Sequence, residues 1–511
     1  MKSPSSIDDF LHDASNIFHA GPAGVKVLLP ESEDELREIL KKANRDDELV
    51  TIAGSHTGLT GASVPMHGGI VVGMESMLSV NSGIGYEDDL QGKIAYRQVK
   101  DYWEHQKFFL PPGITLRTLQ RILDSYGKWF PPNPTEQLAE IGSCVANNSS
   151  GSRSFDFGPV RNHVTSLRVV LPQGDVVEVK RREIWAKDGR LSFQSDDREY
   201  KIQIPTYKMP EVKNSAGLYA KPDMDLIDLF IGSEGTLGVF TEIGIRTFPK
   251  RDIETALFFF KDEYEALDFV DAARKHRGKM MNYDEDTERI GFISLEFFDR
   301  HALNMAKTGR PIKGGAAVEV EYFEEDYGAL GVLSDMASGS VDSWVNNNIA
   351  EFRHSIPQAV NEETRRTGTR KVNIDLAVPV KHFRKLYEEC KSAGEDFSRY
   401  CGSKEIHYAV WGHAGDCNLH FNLIPRTQEE LIYAERMYPR MISKAVQEYG
   451  GTLSAEHGVG KKGIIFAGQW EPMLLFMYGD RGLREIGAVK EALDPKFLLN
   501  RGNMVPYGWG R

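Results

Sequence analysis

Residues 49–74, LVTIAGSHTGLTGASVPMHGGIVVGM, constrain the fold more than any other stretch of this chain. They read as a strand, a loop with glycines at 54, 58 and 61, and a second strand-like segment interrupted by Pro65, Gly68 and Gly69. A nucleotide-binding turn of the GxGxxG kind must open a helix directly after its strand, because the pyrophosphate rests on that helix's N terminus. The glycine spacing here differs and a strand follows, so a doubly wound dinucleotide fold is not expected. Two readings remain. Backbone N–H groups unobstructed by side chains form an anion-binding nest, or the glycines serve a tight turn between strands. The spacing alone does not choose between them. Upstream, residues 25–29 read as a strand. Residues 31–44 place acids in a first helical turn, with Leu36, Ile39, Leu40 and Ala43 at helical spacing.

A chain of 511 residues exceeds one simple core, so two or three domains are expected. Residues 130–179 open on Pro131, Pro132 and Pro134, pass through a small-residue stretch at 141–146 and reach a loop of amide and hydroxyl donors at 147–152. They end in a hairpin, 166–171 and 175–179, around Pro172-Gln173-Gly174. Small residues beside many donors suit the close approach of a planar cofactor, although such a loop by itself is usually only solvated. Residues 183–223 are polar and irregular and read as an insertion; residues 226–250 then give a helix end, a glycine turn and an apolar strand. The composition changes near Pro249 and Lys250, where the main boundary is placed. Beyond it, strands such as 256–260 and 317–322 alternate with helices such as 263–274 and 427–449, which predicts an α+β domain with an antiparallel sheet. The second of these helices opens on Thr427 and Glu430 at capping-box spacing, and Pro439 is expected to bend it. A last helix, 483–493, stops at Asp494 and Pro495.

The densest chemistry lies in residues 411–422, WGHAGDCNLHFN. Residues 405–411 read as a strand, 412–417 as a turn and 418–423 as the returning strand. Period-two alternation puts His420 and Asn422 on one face, with Leu419, Phe421 and Leu423 on the other. His413, at the near edge of the turn, folds back toward His420. Two imidazoles so placed point to a metal or an active-site cluster.

Net charge of −12 argues against nucleic acid as a partner, since phosphate-binding surfaces carry a basic excess. Four cysteines, Cys144, Cys390, Cys401 and Cys417, show no CxxC pair and no iron–sulfur or zinc spacing, which fits a reducing cytoplasm. The first residues are polar and acidic, unlike a signal peptide, and no apolar run is long enough to span a membrane; peripheral attachment at the inner membrane stays open.

Taken together, these segments resemble the flavoproteins of the vanillyl-alcohol oxidase and p-cresol methylhydroxylase superfamily. Within it they are most similar to the D-2-hydroxyacid dehydrogenases: D-lactate dehydrogenase, D-2-hydroxyglutarate dehydrogenase and the flavin subunit of glycolate oxidase. GSHTGLTGASVP, IGSCVANNSSG, GSEGTLGVFTE, GHAGDCNLHFN, SAEHGVG and ALDPKFLLNRGNM match the family's motifs in the family's order. The resemblance implies an α+β protein with a two-subdomain PCMH-type FAD-binding domain at 1–250, including the insertion. An α+β substrate (cap) domain with an antiparallel sheet would follow at 251–480, and a C-terminal segment at 481–511 would pack back on the FAD domain.

By the same resemblance, Gly54, Ser55, His56, Thr57, Gly58 and Gly61 wrap the FAD pyrophosphate, and Pro132, Gly142, Ser143, Asn148 and Gly151 lie along the cofactor. Glu234, Gly238 and Val239 sit near the flavin or ribityl chain, and Asn500 also binds the cofactor. His413, His420 and Glu456 carry over as ligands of a divalent zinc or manganese ion, His457 as the base, and Asn422 as a neighbour of the ligands. Arg353 carries over as the grip on the substrate carboxylate, which a guanidinium fork suits. The implied reaction oxidises a D-2-hydroxy acid, with D-lactate as the default, to its 2-oxo acid. Hydride passes from C2 to flavin N5 while the metal acidifies the C2 hydroxyl and His457 takes its proton.

Two departures stand out. Relatives that recognise a dicarboxylate often carry a threonine and a lysine where this chain has Pro357 and Asn373, with Lys371 and Arg370 close by. His56 occupies a place where some superfamily members attach FAD covalently; non-covalent FAD is the expectation. Without iron–sulfur cysteines, electrons must leave to a separate acceptor: a quinone, a cytochrome, an electron-transfer flavoprotein or oxygen. A homodimer is compatible with the sequence, though no residue points to it. The competing readings are a redox-neutral transferase of the alkylglycerone-phosphate synthase type and a non-catalytic flavin electron-relay subunit. The set His413, His420, Glu456 and His457 counts against both.

Overall fold

The glycine loop joins two neighbouring strands that run in the same direction. Strands Val50–Ala53 and Gly69–Gly73 pair in parallel, and Val25–Leu28 pairs in parallel on the other side of Gly69–Gly73. No tight turn can join parallel neighbours, because the chain must cross back over the sheet. Residues 54–68 make that crossover without a helix, so the tight-turn reading is wrong for a topological reason. Helix Glu33–Asp46 covers this sheet: Ser32 Oγ accepts the Glu35 N–H at 3.3 Å, and Leu36, Ile39, Leu40 and Ala43 are buried with Val50, Ile70 and Val72. The computed structural model describes residues 6–506 apart from 16, 22–23, 81–84, 90, 101–105, 197, 277–290, 308, 310, 327, 346–348 and 467.

A six-stranded sheet follows, in the order Gly85–Asp89, Gly92–Lys100, Gln106–Leu110, Val239–Arg246, Val164–Val170, Val176–Lys180, with every neighbouring pair antiparallel. The hairpin read at 166–179 is its last pair, closed by Gly174 N–H donating to Leu171 O at 2.8 Å. The small-residue stretch at 141–146 is a short helix, Ile141–Ala146. Residues 183–223 include a hairpin, Arg190–Gln194 with Glu199–Gln203.

The second large sheet has seven strands, all antiparallel: Asp342–Val345, Ile253–Phe260, Ala316–Phe323, Phe292–Phe298, Tyr408–His413, Asn418–Leu423 and Val372–Ala377. Its register decides the site. Residues paired across an antiparallel ladder point to one face. Glu296 pairs with His413, Trp411 and Asp375 both pair with His420, and Asn373 pairs with Asn422. Glu296, His413, His420, Asn422, Asn373 and Asp375 therefore share a face.

Among the boundaries that differ from the sequence reading, three change an element's end or shape. The outgoing strand of the hairpin is Tyr408–His413 rather than 405–411, so His413 is a strand residue, held there by the ladder with Phe292–Phe298. The helix predicted at 427–449 is α-helical over Gln428–Ser443, with Thr427 Oγ1 accepting the Glu430 N–H, and then widens to a π turn at Lys444–Glu448, just after Pro439. The last helix begins at Met473, ten residues early, and kinks at Gly479 (φ 67°, ψ 179°), a conformation open to glycine. Past it, Leu499 bridges Val50 in parallel and Asn500 Oδ1 accepts the Ile52 N–H at 2.6 Å. No helix among the described residues is long and apolar enough to cross a membrane.

Candidate active site

A cavity of about 290 Å³ is lined by Gly54, His56, Thr57, Gly58, Gly142, Ser143, Glu234, Gly238, Val239 and Asn500, and also by Glu456 and His457. The glycines let its walls close. A Cβ on Gly54 would lie 2.1 Å from Ser143 Oγ, one on Gly142 2.8 Å from Pro112 Cβ, and one on Gly238 2.5 Å from a Val169 methyl. A Cβ on Gly58 would meet nothing within 4 Å. The remaining cofactor residues read from the sequence stand behind this lining rather than in it. Ser55 Oγ donates to Glu140 Oε1 at 3.2 Å and Gly61 N–H donates to Asp13 Oδ2 at 2.7 Å. Asn148 Oδ1 accepts the Arg161 N–H at 3.1 Å, Gly151 lies against the Asn133 carbonyl, and Pro132 is buried.

Three buried polar atoms on cavity residues have no hydrogen-bond partner: His56 Nε2, Glu140 Oε2 and His457 Nδ1. Burial holds the Glu140 carboxyl well above the usual range and presses His56 down, so burial disfavours a charge on either, and both present unsatisfied polar edges. His56 itself has φ 54° and packs edge-on to Phe10, with ring centroids 5.0 Å apart. Unpaired polar edges, a glycine-lined wall and the loop donors fit a large polar cofactor with a flat ring system. Glu234 is also left-handed (φ 51°), and its carboxylate accepts the backbone N–H groups of Val459 at 2.8 Å and Gly460 at 2.6 Å. It thereby bolts the loop carrying Glu456 and His457 to the cavity. Burial pushes its pKa up to about 7 against those two hydrogen bonds.

At Glu456 in that loop three histidines converge, His457 from the loop and His413 and His420 from the sheet. The Nε2 atoms of His413, His420 and His457 lie 3.1, 3.1 and 3.9 Å from the same oxygen, Glu456 Oε1. Each Nδ1 turns the other way, toward a buried carboxylate: His413 to Glu296 at 2.6 Å, His420 to Asp375 at 3.6 Å, and His457 to Asp375 at 3.4 Å. Asp375 also accepts the backbone N–H groups of Glu456 and His457 at 2.9 and 3.0 Å. Ligand atoms of His413, His420 and Glu456 lie within 4.8 Å of one another, a donor set of two imidazoles and one carboxylate that fits zinc or manganese.

The electrostatics agree. Burial opposes a charge on His413, but Glu296 and Glu456 outweigh it and lift its pKa to about 9, so the pocket between the two carboxylates favours a positive charge. Burial would raise Glu456, yet Lys213 and His413 hold it well below the usual range. Burial pushes His457 down to about 4 despite Asp375, which keeps its imidazole unprotonated at neutral pH, as a base requires.

Sequence reasoning missed Lys213. Its Nζ lies 2.9 Å from Glu456 Oε2, and it comes from the segment read as an irregular insertion. The residues after it are stitched to the same loop: Ser215 Oγ accepts the Gly458 N–H at 3.0 Å and Thr452 Oγ1 donates to Asn214 Oδ1 at 2.6 Å. Ser150 Oγ, from the donor-rich loop, reaches Glu456 Oε2 at 3.1 Å. No spacing signal marks Lys213; only burial of a lone lysine would have singled it out.

Arg353 projects from helix Ile349–Thr367 into a nest of acids, with Glu296 Oε2 at 3.5 Å, Glu319 Oε1 at 4.0 Å and Ser152 Oγ at 3.2 Å. Burial lowers its pKa, but Glu296, Glu319 and Glu321 more than compensate and keep it charged. Glu321 is taken by Arg153 in a two-pronged pair at 2.9 and 3.0 Å. Asn422 lies on the histidine face, but its amide is spoken for: Oδ1 accepts from Asn373 at 2.8 Å and Nδ2 donates to the His420 carbonyl at 3.2 Å. A separate cluster, Cys401, His407 and Glu430, has both His407 nitrogens engaged, Nε2 with Ser403 Oγ at 2.7 Å and Nδ1 with the Arg426 guanidinium at 3.2 Å, an arrangement that repels a cation.

Comparison with known proteins finds both a family and relatives along nearly the whole chain. Residues 25–180 match the family described as FAD binding domain, and residues 250–504 the family described as FAD linked oxidases, C-terminal domain. The chain is 26% identical to a D-lactate dehydrogenase of Anaerostipes hadrus over 97% of this chain and 92% of that one. It is 26% identical to a glycolate oxidase subunit of Bacillus subtilis (strain 168) over 99% and 95%, and 23% identical to a D-2-hydroxyglutarate dehydrogenase of Stutzerimonas stutzeri over 95% and 92%. Among solved structures it resembles alkyldihydroxyacetonephosphate synthase, with a TM-score of 0.61 and 15% identity over 93% of this chain and 75% of that one, which is a likeness of fold.

Proposed function

The chain belongs to the FAD-linked oxidases, and from that premise we propose that it oxidises a D-2-hydroxy acid of the lactate kind to the 2-oxo acid, passing the electrons to a separate acceptor. The observation that carries this reading is one cavity lined both by the glycine loop and by Glu456 and His457, which sets the cofactor wall against the histidine cluster. FAD supplies the hydride acceptor when bound, and a zinc or manganese ion the Lewis acid. The chain's own residues do the rest. His413, His420 and Glu456 would hold the ion. Unprotonated His457 takes the proton of the C2 hydroxyl. Arg353 orients the substrate carboxylate, exchanging part of its contact with Glu296 and Glu319 for it. FAD is held without a covalent bond, and acid denaturation should release all of the flavin. The relatives named above act on different 2-hydroxy acids or are subunits of an oxidase, so the acid is set by experiment. The four cysteines are free, in keeping with a reducing compartment such as the cytoplasm.

The test is anaerobic bleaching of the flavin by D-lactate, D-2-hydroxyglutarate and glycolate, with and without chelator. One of them should reduce the flavin and chelator should slow it, while His457→Ala should lower the reduction rate by about 10²–10⁴-fold with flavin content unchanged. If no acid from a broad 2-hydroxy acid panel bleaches the flavin, the proposal fails.

A further inference from the structure

We propose that Glu296 is a positioning residue that couples the two arms of the site: one oxygen aims the His413 ring and the other aims the Arg353 guanidinium. The inference rests on the proposed function, because it assigns His413 to the metal and Arg353 to the substrate carboxylate. Glu296 Oε1 lies 2.6 Å from His413 Nδ1, and Oε2 lies 3.5 Å from Arg353 Nη2. Glu296 is only 2% exposed and His413 4%, and the two are direct cross-strand partners, so the sheet register fixes their separation. With Nδ1 turned to Glu296 at 2.6 Å, His413 directs Nε2 at the point shared with His420 and Glu456. A buried carboxylate on the far nitrogen of a ligand imidazole fixes both tautomer and ring plane.

Asp375 plays a different part. It stands 3.4–3.6 Å from the other two Nδ1 atoms, and its short contacts are with the Asn418 amide at 2.8 Å and the backbone N–H groups of Glu456 and His457 at 2.9 and 3.0 Å, so it holds the loop to the sheet. Glu296 instead makes its shortest contact with an imidazole Nδ1, and one carboxylate reaches both His413 and Arg353. Moving it must disturb metal and substrate together, which an ordinary buried ion pair would not do.

The experiment uses full-length FAD-loaded protein carrying Glu296→Gln or Glu296→Asp, with zinc and manganese affinity measured by chelator competition and flavin reduction by whichever acid bleaches the wild type. Glu296→Gln keeps an acceptor for His413 but turns an amide N–H toward Arg353 and removes the charge. It should weaken metal binding about 10–100-fold and raise KM more than it lowers kcat. Glu296→Asp keeps the charge with a shorter reach and should fall between wild type and the Gln protein. Should Glu296→Gln not fold, the Asp protein carries the same comparison. Metal affinity and KM both within about threefold of wild type, a shift below one factor of ten, would overturn the inference while the proposed function stood. A wild type that binds neither ion would remove the metal assignment, and the inference with it.

Discussion

A carboxyl group buried among other carboxylates resists ionisation, and Glu319 is the clearest instance in this chain. It is 3% exposed, its Oε2 has no hydrogen-bond partner, and burial, with Glu321 and Glu296 adding to it against Arg353, pushes its pKa up to about 8. A folded-state pKa above the unfolded value of 4.5 means that the folded protein binds a proton the unfolded chain has released. That stabilisation is fully present below about pH 4.5 and is lost as pH rises to about 8. Glu319→Gln lacks this slope. Its melting temperature should gain on the wild type as pH rises from about 5 to 8, by the equivalent of a few kcal/mol, and hold the gain above. A constant difference across that range in thermal melts would show that Glu319 does not titrate there. Residues of this kind were invisible beforehand. Glu319, Glu296, Glu140 and Lys213 stand in ordinary sequence, and what sets them apart is burial beside partners far along the chain.

The hairpin was legible as an element because its alternation is strict: His420 and Asn422 on one face follow from period two alone, and the register agrees. Its limits were not, since the extent of Tyr408–His413 is decided by pairing with Phe292–Phe298 rather than by its own residues. Within it, Gly412 lets the two strands close. A Cβ there would lie 2.6 Å from Asn418 O and 3.1 Å from Leu419 Cα. Gly412→Ala should therefore spread the strands beside His413, costing about 1–3 kcal/mol of stability and weakening metal binding. Thermal melts and chelator competition check both, and an unchanged melt would mean that the hairpin absorbs the methyl group. The helices were read well where periodicity or a capping box marked their start, as at Leu36 to Ala43 and Thr427, and poorly where tertiary packing extends a helix through a kink, as at Gly479.

On the scale of the whole molecule, the parts meet where the chain's last residues return to its first sheet. Asn500 accepts the Ile52 N–H at 2.6 Å and donates to the Glu234 carbonyl at 3.0 Å. Lys461 Nζ spans the Gly61 and Ala62 carbonyls at 3.0 and 3.1 Å and Asn503 Oδ1 at 2.8 Å. Asn500→Ala leaves a strand N–H without its acceptor, a cost of about 1–3 kcal/mol, and should weaken FAD retention, read by flavin fluorescence titration; unaltered FAD affinity would separate this seam from the cofactor site. By itself the sequence determined the parts that depend on near neighbours: a glycine loop that opens no helix, the Thr427 cap, the alternating faces, and the order of motifs that marks the family. The tertiary structure alone decided that the loop crosses between parallel strands, that Lys213 enters the site from the supposed insertion, and which carboxylate faces each histidine. Those choices belong to sheet register and burial, which join residues far apart in the chain and leave no periodic trace in it.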